Sequence, residues 1–162
     1  MAKLSAGLLL YRERAGGLQV FLVHPGGPFW AKKEAGAWSI PKGELGDGEE
    51  PLAAARRELA EETGLAVEGP FLPLAEIRQK AGKRVRAWAV EAEADPATIR
   101  SNRFEMEWPP RSGRRISVPE VDRAAWFALP AAREKINPAQ AALLDELERL
   151  LGRPGKGTTI AG

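Results

Sequence analysis

Aliphatic residues open the chain in two short runs, at residues 4–11 and 18–24. The segment Arg14-Ala15-Gly16-Gly17 separates them, and glycines between apolar runs of this length favour a turn between two β-strands. We therefore predict a hairpin at the start of the chain. Residues 71–79 and 83–91 repeat this arrangement on either side of a glycine and predict a second hairpin.

Two segments carry the signals of an α-helix. The first spans about residues 51–63, where Pro51 suits the first helical turn and Gly64 suits a left-handed C-terminal cap. The second begins at Asn137-Pro138 and ends at Gly152, and its leucines recur on one face as in a helix packed on a core. These leucines are Leu143, Leu144, Leu147, Leu150 and Leu151.

A long stretch without regular periodicity, from Asp95 to Val121, lies between the second hairpin and the second helix. It contains Pro109, Pro110 and Gly113, and its length exceeds that of an ordinary connection. We therefore expect a functional or mobile segment here. A short strand around Trp126-Phe127 is predicted to follow it.

The composition is that of a globular protein, with 44% hydrophobic and 28% charged residues among 162. This length predicts one domain over residues 1–152, with a disordered tail at 153–162. With no cysteine and one histidine, His24, the sequence excludes disulfides, a thiolate nucleophile and zinc sites built on cysteine or several histidines. No apolar run reaches the ~20 residues of a membrane span, and the N-terminus has no clear cleavage site, so we expect a cytoplasmic protein.

Acidic residues are concentrated in one segment of a chain whose formal net charge is +2. Residues 43–65 hold seven acidic and two basic residues, which gives this segment a net charge of −5. Glu58, Glu61 and Glu62 stand at i, i+3 and i+4 in the first predicted helix, within an arc of about 100°. Like charges at these spacings repel, which favours a bound cation. The alternative is a solvated acidic face.

The spacing around these glutamates separates the two interpretations. From Gly43 the sequence continues with five residues, Glu49, seven residues and then Arg57-Glu58-Leu59-Ala60-Glu61-Glu62-Thr63-Gly64-Leu65. Every fixed position of the Nudix box is matched, so the chain resembles the Nudix hydrolases over roughly residues 4–150. The resemblance implies an α/β fold, the Nudix-type α/β/α sandwich with a mixed sheet between helices, which the predicted order of hairpins and helices permits.

The resemblance also implies roles for the matching residues. Arg57 belongs to the catalytic set because in the family it orients the box glutamates by ion pairing, and Glu49 ties the loop to the helix. The expected ion is Mg²⁺ or Mn²⁺, and a chain without cysteine offers the oxygen ligands that such hard cations prefer. The family's metal ligands correspond to Gly43, through its carbonyl oxygen, and to Glu58, Glu61 and Glu62.

The family's reaction requires a carboxylate that accepts the proton of the attacking water. In the family this base is either a box glutamate or a glutamate from a later loop. Glu61 and Glu120 are therefore the candidates here, followed by Glu105 and Glu107.

Basic and aromatic residues outside the box are candidates for binding the substrate. Lys42 directly precedes the box glycine, from where an ammonium reaches a substrate phosphate. Trp108 and three arginines of the 95–121 segment would bracket a second nucleotide or further phosphates. A solvated basic surface is the alternative for these arginines, as it is for Lys80, Lys83, Arg84 and Arg86. The three arginines are Arg111, Arg114 and Arg115.

Among the remaining tryptophans and the single histidine, the sequence pattern predicts a structural role for three residues and a functional role for one. Trp88 and Trp126 lie in apolar patterns and are predicted to be core residues, and His24 is predicted to make structural hydrogen bonds. Trp30 lies in a loop rich in glycine and proline, where a functional role is favoured.

The resemblance implies a metal-dependent pyrophosphohydrolase that cleaves a nucleoside diphosphate linked to another group, for example a dinucleoside polyphosphate such as diadenosine tetraphosphate. Free or oxidised nucleoside triphosphates, inositol pyrophosphates and the 5′ end of RNA are alternative substrates. Two different classes of protein also stay open: a non-catalytic domain that senses a nucleotide, and an acidic calcium-binding or structural module. We expect a small nucleotide or polyphosphate as substrate, no membrane association and no stable nucleic-acid partner.

Overall fold

The computed structural model describes residues 3–79 and 82–152, which form nine β-strands and three α-helices. The strands are β1 Leu4–Arg14, β2 Gly17–Pro25, β3 Lys42–Glu44, β4 Leu72–Pro73, β5 Ile77–Arg78, β6 Arg84–Glu91, β7 Arg103–Glu107, β8 Arg115–Pro119 and β9 Val121–Ala128. The helices are α1 Pro51–Thr63, α2 Leu129–Lys135 and α3 Ala141–Leu150. Single 3-10 turns lie at Pro96–Thr98 and Pro138–Gln140.

Seven of the strands form one mixed sheet in the described part of the chain. Its main order is β4-β6-β1-β2-β9, with β3 paired to β1 and β5 paired to β6. The central pair β1 and β6 is parallel, whereas the other pairs are antiparallel. The hairpin predicted at the start of the chain is confirmed as β1–β2. In the second hairpin the strand predicted over 71–79 is interrupted: it gives the two short strands β4 and β5, which both pair with β6. Residues 80 and 81, between its two arms, lie outside the described part of the chain.

Helices cover both faces of the sheet, because successive strand residues point to opposite sides. On one face α1 packs through Ala55 and Leu59 against a cluster that contains Leu8 and Phe21. On the other face α2 and α3 pack against a cluster that contains Leu22. The predicted α/β/α sandwich with a mixed sheet is thus confirmed. Among the described helices, none has the length and apolar character needed to cross a membrane.

The 95–121 segment is more regular than its sequence indicates. β7 and β8 pair over five residues, from Arg103 opposite Pro119 to Glu107 opposite Arg115, and form a separate two-stranded sheet. Most of their side chains are exposed, so the strands lack the apolar run by which a buried strand is recognised.

Three further differences concern the C-terminal part. The strand predicted around Trp126-Phe127 is the eight-residue β9. Helix α2 has no counterpart in the sequence prediction, since it spans seven residues and buries Ala132 alone. Asn137 caps a 3-10 turn, and the predicted leucine helix begins after it, at Ala141. The predicted disordered tail, 153–162, lies outside the described residues.

Helix α1 has well-formed ends, which fix the position of its glutamates. The carboxylate of Glu50 accepts the backbone N–H of Ala53 and caps the N-terminus. At the other end Gly64 has a left-handed backbone with φ of 78°, and its N–H donates to the carbonyl oxygen of Ala60. The box glycine that ends the helix is therefore required by backbone conformation.

We predict that Gly64→Ala lowers the free energy of unfolding by about 1–2 kcal/mol, because a Cβ destabilises the left-handed conformation. Urea denaturation of the variant and the parent measures this loss. Gly16→Ala is the matched control, since Gly16 has no positive φ and no described heavy atom lies within 4 Å of an added Cβ. Equal stability of the parent and the Gly64 variant would contradict the assignment.

Candidate active site

The box begins where β3 meets α1. Gly43 pairs with Ala6 of the central strand β1, and this pairing fixes the backbone of β3 against the sheet. A Cβ added to Gly43 would lie 2.1 Å from the carboxyl carbon of Glu58. Glycine at this position therefore allows the Glu58 carboxylate to lie directly against the main chain.

The guanidinium of Arg57 binds three glutamates of the box. Its Nε and Nη2 donate to both carboxylate oxygens of Glu49, at 2.8 and 2.9 Å. Its Nη1 donates to Glu58 at 3.0 Å and to Glu61 at 2.5 Å. Glu49 also accepts the backbone N–H of Gly46, and these hydrogen bonds hold its pKa at about 2. Arg57 thereby connects the loop, the helix and the carboxylates.

Burial and mutual repulsion act on the glutamates of this cluster. Burial, followed by the charge of Glu58, raises the pKa of Glu62 to about 8, although the backbone N–H of Lys42 donates to its carboxylate. Burial and the charge of Glu61 raise the pKa of Glu58 and also that of Glu120. Four carboxylates, three from α1 and that of Glu120 from the residue before β9, therefore repel one another in one partly buried region.

The chemistry of this donor set fits a hard divalent cation, since carboxylate and carbonyl oxygens are the preferred ligands of Mg²⁺ and Mn²⁺. Within residues 3–79 and 82–152, however, no three acidic or histidine side chains are arranged so that they hold an ion in common. One physical reason is that Arg57 draws an oxygen of Glu58 and an oxygen of Glu61 towards itself. The cluster therefore has the ligand types of a metal site, with its side chains oriented by an ion pair.

A cavity of about 240 Å³ opens beside the carboxylates. Lys42, Glu62 and Glu120 line its charged end, and Trp30 and Gln140 are among the uncharged residues that line it. A wider groove of about 710 Å³, which Arg12 and Trp126 help to line, contains none of the box residues among its lining. The smaller cavity, which we call the carboxylate cavity, is therefore the candidate active site.

A second space of about 420 Å³ adjoins the carboxylate cavity. The two share Gly36, Gln79 and Asn137, and Lys83 lines the second space. Burial lowers the pKa of Lys42, the charge of Glu62 opposes this shift, and the nearby charge of Lys83 adds to the lowering. Two ammonium groups therefore face the region next to the carboxylates.

The predicted distal contacts lie apart from this cavity. Trp108, Arg111 and Arg114 follow β7 at the tip of the hairpin, where the Glu107 carboxylate accepts the N–H groups of Arg111 and Gly113. Arg115 pairs with Glu105 on the hairpin itself. The tip lies roughly 14 Å along the strands from the end that carries Glu120. The structure thus brings Glu58, Glu61, Glu62, Glu120 and Lys42 together, but none of these hairpin residues lines the carboxylate cavity.

His24 and the tryptophans have mainly structural environments. His24 is fully buried, and its ring nitrogens lie 2.9 Å from the Asp122 carboxylate and 2.6 Å from the Lys33 carbonyl oxygen. Trp88 is 8% exposed and belongs to the core, as predicted. Trp126 packs edge-on against Phe21 at the margin of that core.

Sequence reasoning misses several residues that line the two spaces. The pattern identifies Asn137 as a helix cap and gives Gln140 no function, although Gln140 is 1% exposed and lines the carboxylate cavity. Ser39 and Gln79 are missed as well. For Lys83 the sequence does give a signal, because this residue belongs to a basic cluster at a predicted hairpin. That signal indicates positive charge but does not show which part of the molecule the side chain faces.

Comparisons with known proteins agree with this architecture. The sequence profile of the NUDIX domain family matches residues 1–147. An octanoyltransferase from Myxococcus xanthus is 33% identical over 104 residues, which cover 64% of this chain and 26% of that protein. The chain thus spans about a quarter of that relative's length.

Two solved structures illustrate the similarity of the fold. An Ap4A hydrolase from C. elegans, in a binary complex, superimposes with a TM-score of 0.64 at 23% identity, covering 91% of this chain and 98% of that chain. The NUDIX domain of NrtR from Shewanella oneidensis, complexed with ADP ribose, superimposes with a TM-score of 0.63 at 17% identity, covering 93% and 89%. Together with the profile match and the complete box, these findings show that the chain belongs to the NUDIX domain family.

Proposed function

We propose that this chain is a Nudix hydrolase that acts on pyrophosphate bonds and cleaves a dinucleoside polyphosphate, such as diadenosine tetraphosphate, in the cytoplasm with the help of Mg²⁺ or Mn²⁺. The observation that carries the proposal is the cluster of half-buried carboxylates next to Lys42, with an adjoining space that Lys83 lines. Acidic groups suit the cation, and ammonium groups suit a phosphate chain longer than one anhydride.

Glu58, Glu62 and Glu61 would hold the cation together with the carbonyl oxygen of Gly43. A bound divalent cation lowers the pKa of water and offsets the negative charge of the phosphates. Arg57 acts as a positioning residue, because its bonds to Glu49, Glu58 and Glu61 fix where the carboxylates point.

Glu120 is our first candidate for the base that takes the proton of the attacking water. Its carboxylate receives no hydrogen bond from the described residues, and its raised pKa favours proton transfer near neutral pH. Glu61 is less suited because Arg57 binds one of its oxygens at 2.5 Å. Glu105 and Glu107 make their bonds within the hairpin, so they are less suited again.

Lys42 and Lys83 would bind the phosphates on the two sides of the scissile anhydride. Trp108 and the arginines at the hairpin tip would contact the far nucleoside of an extended substrate, at a distance that a mononucleotide does not reach. Two relatives in fold are an Ap4A hydrolase and a domain complexed with ADP ribose, which supports a nucleotide with a pyrophosphate link. A small molecule of this kind requires neither a membrane nor a stable nucleic-acid partner.

The carboxylate cluster predicts an unusual dependence of stability on pH in the presence of chelator. Because the folded protein holds a proton on Glu62 up to about pH 8 and the unfolded chain releases it near pH 4.5, unfolding is favoured as pH rises between these values. We expect the free energy of unfolding to fall by about 2–4 kcal/mol from pH 5 to pH 8. Urea denaturation measures it.

The matched variant for this prediction is Glu62→Gln, which keeps the other titrating groups. Its stability is expected to decline less over the same pH range. Parallel profiles of the variant and the parent would contradict the proposed environment of Glu62.

We predict that hydrolysis of diadenosine tetraphosphate requires Mg²⁺ or Mn²⁺ and stops in excess chelator. Glu62→Gln is expected to lower kcat by ~100-fold or more while the protein stays folded, since one anionic ligand is lost from an isosteric side chain. Chromatographic separation of the products gives the rate, and circular dichroism checks the fold.

Glu68→Gln is the control, because Glu68 is exposed and lies outside the cluster. Undiminished turnover in chelator would refute the metal-assisted mechanism. Activity of Glu62→Gln within twofold of the parent would refute the assigned ligand.

We also predict that replacing Arg111, Arg114 and Arg115 with alanine raises KM more for diadenosine tetraphosphate than for ATP, because remote binding is removed. Steady-state kinetics with both substrates measure the ratio. Arg149→Ala, an exposed arginine of α3, serves as the control. Equal effects on the two substrates would contradict a role in substrate binding and would support the alternative, in which these arginines form a solvated basic surface.

A further inference from the structure

The uncharged end of the carboxylate cavity contains a buried amide whose orientation is fixed. The Oε1 of Gln140 accepts the backbone N–H of Ile40 at 3.0 Å, so this atom is the carbonyl oxygen of the amide. Its Nε2 donates to the Ser39 hydroxyl at 2.9 Å, and that hydroxyl donates onward to the Ile40 carbonyl oxygen at 2.7 Å. The bonds use the acceptor of Gln140 and leave one N–H of its Nε2.

Asn137 presents a second amide whose oxygen also accepts a main-chain N–H. Its Oδ1 accepts the backbone N–H of Ala139 at 2.9 Å, and the Asn137 N–H donates to the Trp38 carbonyl oxygen at 2.7 Å. Its Nδ2 makes no hydrogen bond with the residues that the structure describes. Asn137 and Gln140 both line the carboxylate cavity.

The two amides therefore offer hydrogen-bond donors, while their oxygens are engaged by the main chain. Trp30 lines the same cavity and supplies an aromatic surface. The charged end of the cavity, with Lys42 and Glu62, is where the phosphates bind under the proposed function. A nucleotide whose phosphate lies at that end thus places its base among donors and an aromatic ring.

We propose that the carboxylate cavity selects a nucleotide with a 6-oxopurine base over the corresponding adenine nucleotide, with Asn137 and Gln140 as the specificity-determining residues. This inference rests on the proposed function for the position of the phosphates, and it narrows the substrate. Among dinucleoside polyphosphates, one with a 6-oxopurine base in this cavity binds more tightly than diadenosine tetraphosphate, which is still cleaved. A 6-oxopurine presents two neighbouring acceptors, O6 and N7, whereas adenine presents an N6 amino donor beside N7. Two N–H donors match the O6 and N7 acceptors of a 6-oxopurine. With adenine, one of these donors faces the N6 amino group, which is itself a donor.

Fixed orientation is what gives the amides this selectivity. A free amide turns over and offers its oxygen to an amino group, but here the turn would leave the N–H of Ile40 or of Ala139 facing another N–H. The main chain therefore prevents Gln140 and Asn137 from adapting to adenine.

The test compares the binding of inosine 5′-monophosphate and adenosine 5′-monophosphate to the full chain. These probes differ in the oxo or amino group at position 6 and in the accompanying proton on N1 of hypoxanthine. They contain no anhydride, so hydrolysis does not interfere. Calorimetry with Mg²⁺ present gives both dissociation constants, and we expect the inosine nucleotide to bind about 10-fold more tightly.

Two variants separate the amides from the rest of the site. Asn137→Asp keeps an oxygen that caps Ala139 but replaces the donor with an acceptor, and Gln140→Met removes the donor without adding charge. Each is expected to reduce the affinity ratio towards one. Gln19→Met, on β2 and outside the lining of this cavity, is expected to leave the ratio at about 10-fold.

A ratio of one in the parent, tighter binding of the adenosine nucleotide, binding of neither nucleotide, or an unchanged ratio in Asn137→Asp would overturn the inference. The proposed function is assayed separately, by hydrolysis of dinucleoside polyphosphates. A preference for inosine without such hydrolysis would support this inference and refute the function, whereas hydrolysis without the preference would do the reverse.

Discussion

The interaction on which the site depends is the attraction between the Arg57 guanidinium and the glutamates that burial has partly removed from water. Arg57 binds Glu49, Glu58 and Glu61, and it thereby holds the loop after β3 against α1. Among the described residues, no arginine forms an ion pair with Glu62 or Glu120, and burial raises the pKa of each carboxylate. The protein thus compensates part of its negative charge internally and leaves the remainder beside a cavity. This imbalance gives a chain with a net charge of +2 an acidic centre.

Much of the fold and of the carboxylate cluster could be predicted from the sequence because local rules specify them. Spacing along one helix brings Glu58, Glu61 and Glu62 to one side, whatever the helix packs against. The two box glycines have separate physical reasons: Gly64 adopts a left-handed conformation, and Gly43 leaves room for a carboxylate. The near-continuous apolar runs of β1 and β2 likewise predict two strands of the central sheet, since these strands are buried on both faces.

The features that the sequence did not reveal depend on partners distant in the chain. The orientation of Gln140 is set by the main chain of Ile40, one hundred residues away, and no pattern around Gln140 indicates that contact. Lys83 acquires a direction only when β6 lies beside β1 and brings it towards Lys42. The strands β7 and β8 were missed for another reason, because exposed strands carry no apolar pattern.

The root of the β7–β8 hairpin has a consequence for how this chain can vary without losing its fold. Glu120 lies between β8 and β9, and β9 is an integral strand of the main sheet, whereas the hairpin contributes few residues to the two cores. Residues can therefore be inserted, deleted or exchanged at the tip without disturbing the packing that keeps the fold stable. Under the proposed function, the same edits would alter the contacts beyond the phosphates while Glu120 keeps its place at the root. Evolutionary change at the tip and maintenance of the packed scaffold thus fall to different parts of one continuous segment.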